Sequence, residues 1–355
     1  RELVLPADWR HRLHPRRGGG AVPEVTVDGS SAAKAAEMLD DGMAAVEAAL
    51  GSPDSERAVV GALRRHLDGD PDPLGAGAVA AVLAHRHGGY GHVLGLFVDT
   101  WIREHGLTFA ACALTEFAGM AAPGYRHLGM DHRAIRFVDP GHVIHGLFAA
   151  RHIPRKVRAL LAASDDEAYE DAVKHLADHR AMPAQQAMAS YLIPTRADWV
   201  EECVAVVPTA RLHFGGWLLW CSLSSPDHAE VLGTQLPLGH SEVHTDVLAT
   251  IIEGVGTAIA PALAVSLDSS PLDADQRRLA LRTLAMLPTD EAFQLMLDRV
   301  DRPYTEAALA DAATRFPKRA LRLLTSASRG VSKTSSLAAD VLKAHVPAHR
   351  EVAQR

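Results

Sequence analysis

Cysteine is scarce in this 355-residue chain: there are three, Cys112, Cys203 and Cys221. They are odd in number, widely spaced and set among apolar residues, and no Cys-x-x-Cys occurs, so a disulfide framework is excluded and a reducing, cytoplasmic setting is expected. Aromatic residues make up only 5% and sustained Val/Ile/Thr/Tyr alternation is nearly absent, which argues against a sheet-based fold. Charge is not strongly one-sided: 36 Lys and Arg against 43 Asp and Glu leave a net −7. A nucleic-acid role would therefore need a local basic patch. Arg1 to Arg17 has no apolar core of the kind a signal peptide carries, and no run of about 18 apolar residues stands out, so no membrane span is expected. A chain that opens on Arg reads as a piece of a longer protein.

What is abundant is Ala and Leu, the residues that lose least on entering a helix. Apolar residues total 48%, enough for a packed core and too many for a disordered chain. The expected fold is all-α, a HEAT-like solenoid of irregular stacked helix pairs with a short extended N-terminal arm. Three segments are expected: an arm over 1–29, a helical domain over 30–152 whose second half is rich in Gly and His, and HEAT-like repeats over 153–355.

In the arm, Gly18-Gly19-Gly20 breaks regular structure, and Trp9 and Leu13 are expected to pack on the first helices. Ser30 or Ser31 is placed to cap a helix running to about Leu50. Pro53 suits the first turn of the next helix, which stops at Gly69. Further helices are expected near 75–87, 91–105, 107–121 and 141–152, with a loop between Pro123 and Asp139.

The C-terminal part carries an internal period. An apolar residue followed by proline recurs at Leu287-Pro288, Phe316-Pro317 and Val346-Pro347, so the prolines stand 29 and 30 residues apart. Ile153-Pro154 opens a similar segment, and Ile193-Pro194 and Val207-Pro208 are candidates to mark others. A single helix pair cannot bury its apolar stripe alone, so such units stack.

Two stretches carry a resemblance. Glu2-Leu-Val-Leu-Pro-x-x-Trp9 with His14-Pro-Arg-Arg-Gly18 is similar to the segment that opens domain-of-unknown-function family 4132, large bacterial proteins often labelled MolR-like. Leu284-Ala-Met-Leu-Pro-Thr-Asp-Glu-Ala292 and Phe316-Pro-x-Arg-Ala-Leu-Arg-Leu-Leu324 resemble the helical repeats of the same family. The resemblance implies a helical-repeat part of a larger protein. It implies no agreed activity and no catalytic residue.

Candidate chemistry is sparse. His85, His87 and His92 form one group, and His127, Asp131, His132, His142, His145 and His152 another. His142 and His145 have helical spacing, but no His-Glu-x-x-His occurs and no metal or other cofactor is expected. Gly75-Ala-Gly77 and Gly88-Gly-Tyr-Gly91 lack a phosphate-loop pattern and read as sites of tight turns or close helix approach. No Gly-x-Ser-x-Gly occurs, and the cysteines read as buried and inert.

Three basic groups remain as binding candidates: Arg10, Arg12, Arg16 and Arg17; Arg155 and Lys156 beside Arg158; and Lys318, Arg319 and Arg322, with Arg329 and Lys333 beyond them. The expected function is a non-enzymatic scaffold for a protein or peptide partner, or for other domains of a longer parent. Two alternatives stand beside it. One is nucleic-acid binding of the helical-repeat glycosylase type, for which Asp198-Trp199 and Trp217 with Trp220 would supply an acid and aromatics. The other is a metal-dependent enzyme in the His-rich middle.

Overall fold

The computed structural model describes residues 3–20, 22–87, 90–121, 133–137, 147–210, 216–330 and 333–346. The chain is all-α, as expected, with a single two-residue antiparallel ladder among the described residues. In it β1 (Met120–Ala121) pairs with β2 (Arg136–Phe137), Met120 opposite Phe137. Contacts divide the chain into two compact units, His14–Ser222 and Arg1–Leu13 together with Leu223–Arg355. The compositional boundaries at 29 and 152 both lie inside the first of these.

The short α1 (Ala7–Arg10) belongs to the second unit. The unit His14–Ser222 begins its helices with α2 (Ser31–Gly51), α3 (Arg57–Leu67), α4 (Pro73–His87) and α5 (Tyr90–Ala118). Ser30 stands at the start of α2 but does not cap it; its hydroxyl donates to the Asp28 carboxylate instead. Pro53 lies in a turn, and α3 starts only at Arg57, because Ser55 and Glu56 are held by contacts with Ala49 and Ile135 that a helix from Pro53 would break.

Helix α4 is apolar on all sides. Ala76, Ala78, Val79, Ala80, Val82, Leu83 and Ala84 are all buried, and α2, α3 and α5 pack around it. Small residues let the neighbours come close. A Cβ on Gly77 would lie 2.8 Å from the Ala113 carbonyl oxygen and 2.9 Å from the Phe117 nitrogen. Within α5, Gly106 takes φ +88°, a conformation side chains disfavour, and splits the helix where the two expected segments meet.

The unit continues through α6 (His152–Ala163), α7 (Asp166–Leu176), α8 (Pro183–Leu192), α9 (Ala197–Ala210) and α10 (Gly216–Ser222). The expected helix over 141–152 is not seen where the chain is described: residues 147–150 are turns and α6 begins at His152. Ile193-Pro194 does fall between α8 and α9, but Val207-Pro208 lies within α9 and marks no junction.

The second unit holds α11 (Pro226–Gln235), α12 (Thr245–Val255), α13 (Ala260–Ser269), α14 (Ala274–Met286), α15 (Asp290–Leu297), α16 (Thr305–Arg315), α17 (Pro317–Ala327) and α18 (Lys333–His345). From α13 onward each helix packs on the next and on the next but one, the contact pattern of stacked pairs. Leu287-Pro288 separates α14 from α15, and Phe316-Pro317 separates α16 from α17; Pro347 lies outside the described residues. Ion pairs follow the same spacing. Arg299 grips Asp268, 31 residues back, while Arg319 and Arg322 reach Asp290, 29 and 32 residues back. Asp273 caps α14 with Gln276 in a reciprocal box, and Thr289 caps α15.

Trp9 corrects an expectation. It is buried, but α1 packs on α12 and the Arg282 guanidinium of α14 lies 5.9 Å from the indole centroid, so it belongs with the C-terminal helices rather than the first ones. One stretch, Thr245–Ser269, is long and apolar enough to cross a membrane by length and composition, which the sequence reading had not allowed for. It is two helices broken at Gly256 (φ +61°), and 67% of its most apolar window is buried within the protein, as core helices are.

Candidate functional site

A polar interior cluster lies where α5, the turn after α7 and α8 meet. Glu116 is the only charge between Leu107 and Ala121, and it is buried. A buried carboxylate is costly unless hydrogen bonds compensate. Here His179 Nδ1–H donates to Glu116 Oε1 at 2.6 Å, and Gln185 Nε2–H donates to Oε2 at 2.6 Å. Gln185 is itself fixed, because its Oε1 accepts the Met182 backbone N–H at 2.9 Å at the start of α8. Gly119 makes room for it, since a Cβ there would come within 2.7 Å of the Gln185 side chain.

The next residue, Arg180, extends the cluster. Its Nη1 pairs with Glu202 at 2.7 Å and its guanidinium lies 4.6 Å from the Trp199 ring centroid. Arg196 stacks on the same ring, also at 4.6 Å, and holds Asp198 through two hydrogen bonds. That pairing holds the Asp198 carboxyl down at about 2. The Asp198-Trp199 pair is therefore tied up between arginines, each already matched to a carboxylate.

A second interior cluster surrounds Arg158, which is 1% exposed. Its Nε donates to the Pro15 carbonyl at 2.5 Å, and its Nη1 to the carbonyls of Tyr191 and Cys221 at 3.0 and 3.1 Å. Arg16 Nη2 donates to the same Cys221 carbonyl at 2.9 Å. The last carbonyls of a helix have no partner within it, and a cation there also meets the negative end of the helix dipole. Arg158 and Arg16 thus close α10, and Arg158 closes α8 as well. Beside them His14 shares a 2.8 Å hydrogen bond with the Tyr191 hydroxyl, and Trp217 packs edge-on to both rings.

Most of the expected binding cations are engaged in the same way. Arg17 donates to the Ser164 carbonyl at the end of α6 at 2.7 Å and pairs with Asp166 at the start of α7. Lys156 pairs with the buried Asp99, which also accepts the Asp28 N–H. Arg319 and Arg322 pair with Asp290 and hold its carboxyl below the usual range. Arg155 is half-buried on α6, and Lys318 is exposed on α17. Arg10 and Arg12 are exposed and lie in the unit that contains α14, whereas Arg16 and Arg17 lie in the other.

The thiols are unsuited to nucleophilic work. Burial, reinforced by Glu116, pushes Cys112 up to about 12, and burial raises Cys203 as well. Among the described residues no group of three or more His, Cys, Asp or Glu is arranged to hold a metal. His127, Asp131, His132, His142 and His145 lie outside the described residues, as does the His87 side chain, while His85, His92 and His152 are exposed on their helices. The Glu116–His179 contact is a carboxylate orienting an imidazole, an arrangement that acid–base chemistry uses when a third group follows. The other hydrogen-bond partner of Glu116 is the Gln185 amide, and its charge also acts on the Cys112 thiol one turn earlier on α5. The sequence reading missed this cluster, although a lone acid in an otherwise uncharged apolar helix was a signal for it.

A family model described as the YehI second domain matches residues 31–238, more than half of the chain. The chain belongs to this family. No curated protein and no solved structure matches it. The YehI second-domain segment starts on the first residue of α2 and ends just beyond α11. It contains Glu116, His179, Gln185, Arg180, Trp199 and Arg158. The residues that clip its helix ends from outside, Arg16 and Arg17, precede it.

Proposed function

We propose that the chain is a non-enzymatic helical scaffold, which binds a protein or peptide partner or docks other domains of a longer parent protein. The observation that supports this reading is the family's description as a second domain, a name that suits a segment with neighbours in its own polypeptide. Its interior chemistry supports the same reading. Arg158, Arg16 and Arg17 are spent on helix ends, Cys112 is held neutral, and the Trp199 face is covered by two arginines. Preorganised polar networks of this kind make a surface rigid, which lowers the entropy lost on binding. The paired spacing of Arg–Asp contacts in α13–α17 favours HEAT-like repeats. It fits the resemblance to family 4132, and three free, buried cysteines suit a cytoplasmic setting.

The test is hydrogen–deuterium exchange on this chain alone and joined to the remainder of its parent polypeptide. Protection gained on a contiguous set of helix faces is expected. Unchanged exchange throughout, together with salt-steep binding to DNA, would replace the scaffold with a nucleic-acid reading.

A further inference from the structure

Five arginines of the unit Arg1–Leu13 with Leu223–Arg355 are exposed without an ion pair to a described residue, Arg10, Arg12, Arg282, Arg302 and Arg329, and the first three lie near Trp9. Trp9 is the neighbour that Arg10, Arg12 and Arg282 share. Arg10 follows it in α1, the Arg12 N–H bonds the Trp9 carbonyl at 2.9 Å, and the Arg282 guanidinium lies over the indole at 5.9 Å. One turn earlier on α14, Arg278 is neutralised by Asp275 at 2.8 Å and lies 4.3 Å from the ring centroid of Tyr304, which is 40% exposed. Asp8, on the same short helix as Arg10, is exposed and offsets part of this charge.

The chain has seven more acids than bases, so carboxylates are plentiful. Arg17, Lys156, Arg196, Arg299, Arg319 and Arg322 all find one. The Arg282 guanidinium lies over the indole and Arg10 and Arg12 are exposed on the adjoining turn, so the positive charge of this surface is left for an external anion to relieve.

We infer that α1 and α14 form a cationic docking surface, built from Arg10, Arg12 and Arg282 beside Tyr304, for an acidic peptide segment of a partner chain. This rests on the scaffold reading and names its partner chemistry. The guanidinium fork matches a carboxylate in two parallel hydrogen bonds, and Arg with Tyr is the pairing that commonly anchors protein interfaces. A nucleic acid fits less well. Three cations release only about three counterions, and the net −7 of the chain repels a long polyanion more than a short peptide.

The experiment titrates the whole chain into a short fluorescein-labelled poly-Glu peptide and, separately, into a labelled oligo-dT of equal charge, at about 50 and 200 mM salt. Saturable peptide binding that weakens several-fold at the higher salt is expected. Arg10→Ser, Arg12→Ser and Arg282→Ser combined should weaken it by about tenfold or more, with an unchanged thermal melt. Arg329→Ser with Lys333→Ser should leave it as it was. A triple variant that binds as the parent does, or no peptide binding at the lower salt, overturns the docking surface. The scaffold reading then still stands or falls on exchange protection elsewhere. Oligo-dT bound more tightly than the peptide, and released by the triple variant, overturns both.

Discussion

Replacing Arg158 with methionine is the sharpest perturbation of the YehI second-domain segment. Methionine keeps much of the length and none of the donors. Three backbone carbonyls, of Pro15, Tyr191 and Cys221, lose a partner that is now 2.5–3.1 Å away. A hydrogen bond from a charged donor contributes about 1.5–3 kcal/mol, so losing three gives a gross loss of about 5–9 kcal/mol, less at Cys221, whose carbonyl keeps Arg16. Against this, a buried guanidinium carries a desolvation penalty of several kcal/mol that methionine removes. The stacking of Arg158 on the Tyr191 ring, 4.7 Å from its centroid, is lost too. The net destabilisation expected is about 3 kcal/mol.

Urea unfolding followed by tryptophan fluorescence reads this directly, because four of the five tryptophans (Trp101, Trp199, Trp217 and Trp220) lie in the unit His14–Ser222. With a slope of about 2–3 kcal/mol/M, the midpoint should fall by about 1 M. Arg158→Lys should fall in between, since one ammonium cannot serve three carbonyls set in different directions. Protease cleavage between Leu13 and Gly20 should also speed up in the methionine variant, because the Pro15 contact pins that segment. A midpoint within about 0.3 M of the parent, at unchanged slope, would refute the view that this arginine closes α8 and α10.

The remaining predictions concern other parts of the fold. Cys112, Cys203 and Cys221 should resist a thiol reagent in the folded protein at neutral pH and react fully in denaturant; fast labelling of Cys112 in the folded state would contradict its buried, raised thiol. Gly77→Ala should cost about 1–3 kcal/mol in chemical unfolding, because α5 backbone atoms occupy the space a Cβ needs, and a neutral effect would mean the two helices shift apart freely. Burial, helped by His105, lowers the His66 imidazole below its ordinary 6.5. The unfolded chain therefore binds the proton first, so the stability tied to His66 is intact above about pH 6.5 and is lost as pH falls through the lowered folded value. His66→Gln should flatten that part of the pH profile, and an NMR titration of His66 at or above 6.5 would reverse the sign. Asp290→Ala should cost less than about 1 kcal/mol despite losing two arginine partners, because the pairs are exposed.

Local rules carried the reading where local forces decide. The helical periods of α2, α4 and α5 were legible. So was the break at Gly106, where one residue without a Cβ settles the backbone. The apolar-proline junctions at Leu287 and Phe316 were legible because proline both ends one helix and suits the first turn of another. The failures share the opposite property. Pro53 obeys its own preference less than it obeys Ser55 and Glu56, which are bonded to Ala49 and, some 80 residues on, Ile135. Trp9 looks local to the first helices but packs against α12 and α14, well over 200 residues away.

The arginines show most clearly why the candidate site was hard to see. A run such as Trp9 to Arg17 looks like one basic patch, because sequence displays charge and hides its partner. Arg16 meets Cys221 across 205 residues, Arg17 meets Ser164 across 147, and Arg158 meets Pro15 across 143. A guanidinium reaching that far to a helix end does the work of a cap that no neighbour supplies, so those positions serve folding. Arg10 and Arg12 sit in the same run, within seven residues of Arg17, and carry no such partner. What separates a structural arginine from one available to a partner is therefore the acceptor across space, and within this run it is Arg10 and Arg12, beside Arg282 from α14, that are left to bind something else.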